Sequence, residues 1–351
     1  MKKSINIREI AKLANVSVAS VSRALKNDST SKLSASQREH ILKICSKYNY
    51  APNEHTRRLF SKKANTAAIF FPPFGKITQD SVEDYIDINF GTSLMGAQAA
   101  LRKQNIDLLL TEVTTEFLET KRYLSMIRGK VIDGILLWGV QEKDEYIKEI
   151  LAESIPIVML ATLKSDCSIS VVHSDDYTGM FTITEQVISL GHTKIAIAQA
   201  YQASSIGQQR LAGVIDALAK HNLKPYYITK NQGFGYTFGL LAGQEILKNA
   251  PETTCIIASN DMAAYGCIDE LKKHDIKVPQ NISVTGADCI KIPGSYPPIN
   301  SFAYPAFDIG YAGANLLLEH IAGKTEIQNI CLPTQSITGS TLINIKDMEK
   351  R

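Results

Sequence analysis

The 351-residue chain is short of the groupings that make catalytic or metal chemistry. Its six cysteines, Cys45, Cys167, Cys255, Cys267, Cys289 and Cys331, are scattered and include no Cys-x-x-Cys, and its seven histidines include no His-x-x-x-His, so no zinc or redox framework is indicated. Thiols placed this way are expected to be reduced, in a cytoplasmic setting. There is no Gly-rich phosphate loop and no nucleophile elbow, so no enzyme class is indicated and neither cofactor nor metal is expected. No apolar run is long enough for a bilayer and no apolar leader opens the chain, so neither a membrane protein nor a secreted binding protein is expected. Tryptophan is almost missing, Trp138 being the one example.

What is present is charge, unevenly spread. Residues 1–63 hold 14 Lys and Arg against 4 Asp and Glu, whereas the other 288 residues hold 24 against 31. A short basic segment on an otherwise ordinary chain points to an anionic partner, and nucleic acid is the obvious one. The segment is patterned rather than low in complexity. Ile7, Ile10, Ala11 and Ala14 recur at helical spacing behind Asn6 as an N-cap, and Asn15-Val16-Ser17 reads as a tight turn. A second helix is expected from Ser17, with Val21 and Ala24 inward and Val18, Ala19, Ser22 and Arg23 outward. A third starts at Ser34, capped with Gln37, and carries a stripe of Ile41, Leu42, Ile44 and Cys45. This is helix-turn-helix spacing, in which one helix stands proud enough to enter the major groove. Arg23 is the longest donor on that helix and suits a guanine edge or a phosphate. The competing reading is a three-helix protein-interaction module with a basic face.

From Ala67 the pattern changes to apolar strands separated by amphipathic helices. Ala68–Phe71, Ile106–Leu110, Gly134–Trp138 and Ile157–Leu160 read as buried parallel strands, and a second series runs through Ile195–Ala198, Cys255–Ala258 and Ile282–Gly286. Two βαβ series give an α/β core of two doubly wound parallel-sheet lobes behind an N-terminal all-α helix-turn-helix domain. Ligands of such sheets bind beyond the strands' carboxyl ends, here the cleft between the lobes.

The stretch Ile7-Arg8-Glu9-Ile10-Ala11-Lys12-Leu13-Ala14-Asn15-Val16-Ser17-Val18-Ala19-Ser20-Val21-Ser22-Arg23-Ala24-Leu25 resembles the signature of the lactose/galactose repressor (LacI/GalR) family of bacterial transcription regulators. Tyr50-Ala51-Pro52-Asn53 with Thr56-Arg57-Arg58-Leu59 resembles that family's hinge. Further matches are Ser189-Leu190-Gly191-His192, Arg210-Leu211-Ala212-Gly213, Asn260-Asp261-Met262-Ala263-Ala264-Tyr265-Gly266 and Ile282-Ser283-Val284-Thr285-Gly286-Ala287-Asp288. Their order and spacing make the resemblance specific over the whole chain.

The resemblance implies a DNA-binding domain at 1–49, a hinge at 50–65, a periplasmic-binding-protein-like core at 66–343 and a tail at 344–351. It implies three chain crossings near 172–176, 300–306 and 332–336, which divide the core into an N-lobe of about 66–173 and 304–333 and a C-lobe of about 174–303 and 334–343. Two hinge segments, one per subunit, would turn helical on the operator and wedge Leu59 into the minor groove; the plain alternative is a basic linker. Thr56 departs from the family's usual Ala and lowers helix propensity there. The candidate DNA contacts are Asn6, Arg8, Ser17, Val18, Ala19, Ser20, Ser22, Arg23, Ser34, Asn53, Thr56, Arg57 and Leu59.

By the same motif matches Arg210, Asn260 and Asp288 would hydrogen-bond an effector, with Trp138, Phe234 and Phe307 as flat aromatic faces for a sugar. Each has a bland reading as well: Asn260 and Asp288 as helix caps, Phe307 as core. Where the lactose branch carries an Asp after the strand matching Ile157–Leu160, this chain has Ala161, which argues against simple galactoside binding. Local phrasing such as Ile106-Asp107-Leu108-Leu109-Leu110 and Gly339-Ser340-Thr341 is most similar to repressors of α-galactoside and related glycoside operons. The tail lacks the leucine heptads that make lactose repressor tetramers, so a homodimer on palindromic double-stranded operator DNA is expected.

The expected function is therefore a sugar-relieved repressor of a glycoside operon. A regulator answering to a purine or sugar phosphate, as inducer or corepressor, stays open, as do a sugar-binding module without DNA and an enzyme on the same scaffold. Arg23→Ala is expected to weaken binding by about 1–3 kcal/mol and to relax specificity at one base pair. Selection from randomised palindromes checks this; an equal loss on every sequence would make Arg23 a phosphate contact.

Overall fold

The computed structural model describes residues 5–25, 33–50, 63–73, 87–140, 144–163, 168–292 and 296–349. The chain divides into two units, Met1–Ala64 and Asn65–Arg351.

Side-chain caps set the helices of the first unit. Asn6 Oδ1 accepts from the N–H groups of Arg8 and Glu9, and the Glu9 carboxylate accepts from the Asn6 N–H in return, opening α1 (Ile7–Leu13). Asn15 takes φ +53°, a left-handed turn that Asn tolerates, ahead of α2 (Val18–Leu25). Ser17 stands one residue before α2 rather than inside it, and its Oγ accepts from the Ser20 N–H at 3.1 Å. Ser34 and Gln37 form a second reciprocal cap on α3 (Ala35–Lys47). Ile10, Ala11, Ala14, Val21, Ala24, Ile41 and Cys45 close a core between the three helices. Leu42, expected on the buried stripe of α3, is 40% exposed. Ile41 and Cys45 are one turn apart and hold that face, so the residue after Ile41 is turned off it.

The second unit alternates strand and helix, as its apolar runs require. The first lobe is built from β1 (Thr66–Phe71), α4 (Ile88–Arg102), β2 (Asp107–Glu112), α5 (Thr115–Glu119), α6 (Arg122–Arg128), β3 (Gly134–Trp138), α7 (Tyr146–Ala152), β4 (Ile157–Leu160) and β5 (Ser170–Ser174). The second holds α8 (Asp176–Ser189), β6 (Ile195–Ala198), α9 (Ser205–Lys220), β7 (Tyr227–Ile228), α10 (Tyr236–Asn249), β8 (Cys255–Ala258), α11 (Asp261–Lys273), β9 (Ser283–Thr285) and β10 (Ser301–Ala303). The chain then returns through α12 (Ala306–Ile321), β11 (Asn329–Leu332) and β12 (Gln335–Ile337). The first lobe's sheet is parallel, in the order β11-β5-β4-β3-β1-β2, and the second lobe's is parallel in the order β7-β6-β8-β9. β10 and β12 form an antiparallel pair.

Alternate residues of the central strands feed opposite cores, which is why the runs carry no polar interruptions. Ala67, Ile69, Leu136, Val158 and Leu160 face one side, and Ala68, Phe70, Ile135, Leu137 and Met159 the other. β2 departs from the expected buried strand. It is a sheet edge, with Leu109 38% and Leu110 52% exposed, and apolar content alone does not separate an edge from a centre.

Three crossings join the lobes, at β5 to α8, β10 to α12 and β11 to β12. The first and last are tied together: the Asp175 N–H donates to the Leu332 carbonyl, and Thr334 Oγ1 donates to the Asp175 carbonyl. The end of the chain is held by the second lobe, where the buried His192 ring bridges Thr254 Oγ1 and the Ile343 carbonyl.

On the first lobe α4 and α12 touch backbone to backbone. A Cβ on Gly96 would fall 2.0 Å from the Phe307 carbonyl oxygen, and one on Gly310 would fall 1.9 Å from that of Ser93. Ser93 Oγ also donates to the Ala306 carbonyl at 2.7 Å. Neither backbone can retreat from a methyl group without the helices parting. Gly310→Ala should therefore cost about 1–3 kcal/mol, read as a lowered thermal midpoint; an unchanged midpoint would show that the helix pair is not held at this distance.

Candidate functional site

A cleft of about 560 Å³ opens between the two lobes, at the carboxyl ends of both sheets. The first lobe contributes Asp87, just before α4, Trp138 at the end of β3, and Ala161 just after β4. The second contributes Arg210 from α9, Phe234 before α10, Asn260 at the head of α11 and Asp288 after β9. Tyr304 reaches the cleft from the crossing into α12.

Arg210 is buried and almost fully engaged. Its Nε donates to Asp176 Oδ1 at 2.7 Å, one terminal nitrogen to the Ser259 carbonyl at 2.8 Å and the other to Asp288 Oδ1 at 2.6 Å. Ser174 Oγ donates to the other Asp176 oxygen. The rings of Phe302, Phe234 and Tyr304 surround the guanidinium at 5.4, 5.9 and 6.0 Å. Burial opposes the guanidinium charge, but Asp288 and Asp176 outweigh it and keep Arg210 protonated. Burial raises the Asp176 carboxyl, and Arg210 offsets that only in part. Asp261 is pushed well up by burial and by Asp288, while Ser301 and the Ile290 N–H hold it in place. The site is thus an acid-rich pocket with one cation already matched.

The expected contacts fall unequally. Arg210, Asn260, Asp288, Trp138 and Phe234 all line the cleft. Asn260 is also a cap, since its Oδ1 accepts from the Ala263 N–H at 2.9 Å and its amide nitrogen is left as the donor for the cleft. Asp288 is no cap; it takes φ +98° and pairs with Arg210. Trp138 is only 4% exposed and packs on Phe90, so it is wall rather than a free stacking face. Phe307 does not line the cleft: it is 42% exposed on α12 and stacks on Tyr311. Tyr304, less than one helical turn earlier, supplies the ring, so the sequence register there was off by three residues. Asp87, Asp176 and Tyr201 were missed. Tyr201 follows β6 and meets Phe234 edge-on at 6.0 Å, a position that a search beyond strand ends could have found.

On the first unit, Arg8, Ser17, Val18, Ala19 and Arg23 are exposed, and Ser20 and Ser22 half-buried, so the outward face of α2 is small side chains around one arginine. The Asn6 and Ser34 oxygens are engaged as helix caps. Asn53, Thr56, Arg57 and Leu59 lie outside the described residues.

The comparisons agree with this division of labour. Residues 6–53 match bacterial regulatory proteins, lacI family, and residues 184–342 match the periplasmic binding protein-like domain. The probable HTH-type transcriptional repressor ExuR of Bacillus subtilis (strain 168) is 30% identical over 322 residues, covering 91% of this chain and 92% of that one. The chain belongs to the LacI family of bacterial regulatory proteins. Among solved structures, the lac repressor dimer bound to operator and the anti-inducer ONPF superposes with a TM-score of 0.83 at 19% identity, over 97% of this chain and 100% of that one. The complex of the transcriptional regulator CelR with cellobiose gives 0.70 at 23%, over 96% and 99%. At these identities the likeness concerns the fold, and it is the LacI-family fold throughout. No helix among the described residues is long and apolar enough to cross a membrane.

Removing Arg210 from this LacI-family core strands two buried carboxylates. Arg210→Ala should destabilise by about 3–5 kcal/mol near neutral pH. Without the cation the Asp176 carboxyl, already raised by burial, rises further above its unfolded value, so the folded variant binds more protons and regains stability as pH falls. Thermal midpoints of both proteins across the acid range check this; a deficit that stays constant or grows on acidification would contradict it.

Proposed function

We propose that this chain is a transcriptional repressor of a carbohydrate (glycoside) utilisation operon, relieved by a sugar bound between the core lobes. The observation that carries the reading is the cleft itself: ionic and amide hydrogen-bonding groups at Arg210, Asp288 and Asn260 beside the exposed ring of Tyr201 and the half-buried ring of Phe234. Fixed polar groups with flat apolar faces suit a saccharide, whose hydroxyls need partners and whose C–H faces need rings. The cellobiose complex of CelR offers a related fold with a disaccharide bound. Residues 1–49 would read the operator and residues 50–65 would act as the hinge. The protein would work in the cytoplasm, without catalysis.

A palindrome needs two heads, and the first lobe offers apolar surface for a second copy. Met95 on α4, Leu109 and Leu110 on the β2 edge and Phe307 on α12 are all 38–66% exposed. The lac repressor matched here is a dimer on operator. Paired first lobes would transmit cleft closure to the heads, since the crossings make closure a movement of one lobe against the other.

Two outcomes are expected. A saccharide that raises the melting point of the full chain should change its affinity for a selected palindrome by roughly 5 to 150-fold, the usual size of such coupling; saccharides that alter neither quantity would remove the sugar reading. Met95→Lys combined with Leu110→Lys should turn a dimer into a monomer by light scattering and lower operator affinity by at least tenfold, about 1.4 kcal/mol. A variant that stays dimeric would place the interface elsewhere.

A further inference from the structure

The cleft has a second polar pole, on the lobe opposite Arg210. Asp87 stands immediately ahead of α4, where its carboxylate accepts from the Phe90 N–H at 3.0 Å and from the Trp138 side chain. Across the cleft it faces Asp288, a like charge. The other charged groups on that side are Arg210, Asp176 and Asp261, and the remaining titratable residues of the lining are Tyr201 and Tyr304. Arg210 is shared between Asp176 and Asp288, so no lining cation is left for an incoming anion among the described residues.

Taking the cleft as the effector site, we infer that its effector is an uncharged polyhydroxylated molecule that donates hydroxyls to Asp87 on one lobe and to Asp288 on the other, and that the cleft rejects anionic relatives such as sugar phosphates and uronates. Carboxylates only accept, so a ligand bridging them must bring donors to both ends, and hydroxyls do this without bringing charge. A phosphate or uronate would meet the Asp87 carboxylate, which has no cation beside it, on one lobe and on the other an Asp288 whose cation is shared with Asp176, in a partly desolvated site where like charges are costly. A volume of about 560 Å³ encloses a ligand of drug-like size, larger than a single sugar ring. The bridge also explains how a neutral molecule draws the lobes together: each end satisfies an acceptor, and the ligand replaces a carboxylate–carboxylate confrontation with two charge-assisted hydrogen bonds.

Burial pushes the Asp87 carboxyl up to about 6, with Asp288 adding to the rise and the Phe90 N–H and Trp138 opposing it. Hydroxyl donors favour the ionised form, so effector affinity should fall as pH drops through this value. Protonation also relieves repulsion by Asp288, which works the other way, but that repulsion acts across a solvent-filled gap and is weaker than direct contact.

The test titrates the full-length chain with ribose, melibiose and cellobiose, and with ribose 5-phosphate and galacturonate, at about pH 7.5 and about pH 5. Asp87→Asn keeps the cap on α4, because Asn also accepts from a backbone N–H. A neutral sugar should bind, its anionic relatives at least roughly tenfold more weakly, and its affinity should drop about tenfold on acidification. Asp87→Asn should weaken binding by a similar factor at the higher pH and abolish the pH dependence. Tighter binding of an anion, or an Asp87→Asn protein with wild-type affinity and wild-type pH dependence, overturns the inference. If Arg210→Lys loses the sugar while Asp87→Asn does not, the cleft remains the effector site and this inference alone fails. If none of the sugars binds, both readings fall.

Discussion

A buried guanidinium between two carboxylates fixes the cleft-facing end of the second lobe, beside the first crossing. Arg210 comes from the middle of the second lobe, Asp176 from the first residue of the helix that follows a crossing, and Asp288 from the end of a strand. Three segments distant in sequence are thus held to one point by charge and by fixed hydrogen-bond directions. Such a triad need not add net stability over an apolar substitute, but breaking it leaves an uncompensated charge, so it admits little structural drift. The same constraint settles the chemistry of the cleft. An arginine so fully occupied offers geometry and a few remaining N–H donors rather than net positive charge.

Above this anchor, the architecture separates what bends from what does not. The α4–α12 contact joins backbones at glycines, with no side chains between them to slide. The first lobe is thus held tight at this helix pair, and it joins the second lobe through the crossings, two of which are bonded to each other through Asp175, Leu332 and Thr334. A few residues that absorb rotation between two rigid bodies make a hinge. Ligand contacts on both faces of such a hinge bias its position in proportion to the difference in affinity between the open and closed forms.

Much of this was legible in the chain. Uninterrupted apolar runs such as Gly134–Trp138 and Ile157–Leu160 are central strands because both faces of a parallel sheet are covered, and the periodic apolar residues of the basic segment close its small core. The legible part ended where neighbours rather than local pattern decide. Leu109 and Leu110 look like core and sit on an edge. β5, β10 and β12 are too short or too polar to stand out, yet they carry the crossings. Arg210, Asn260 and Asp288 were found because each lies in a distinctive local string, whereas Asp87 and Tyr304 become cleft residues only through folding. Phe307 shows the hazard of choosing by residue type: two aromatics stand three positions apart, and Tyr304 lies in the crossing that lines the cleft whereas Phe307 is already on α12, turned to the surface.

The return of the chain into the first lobe bears on how the protein is made. β11 pairs with β5 and α12 packs on α4, so the sheet begun at Thr66 lacks an edge strand and a covering helix until Leu332 has been synthesised. The second lobe waits longer still, since Val284 in β9 donates to the carbonyl of Thr341. By contrast, the three helices of the head close their core within residues 5–50. Domains generally fold as units when their last segment becomes available. On the ribosome the DNA-reading head is complete some 290 residues before the part that regulates it, so a nascent or truncated chain carries a folded head with no switch attached.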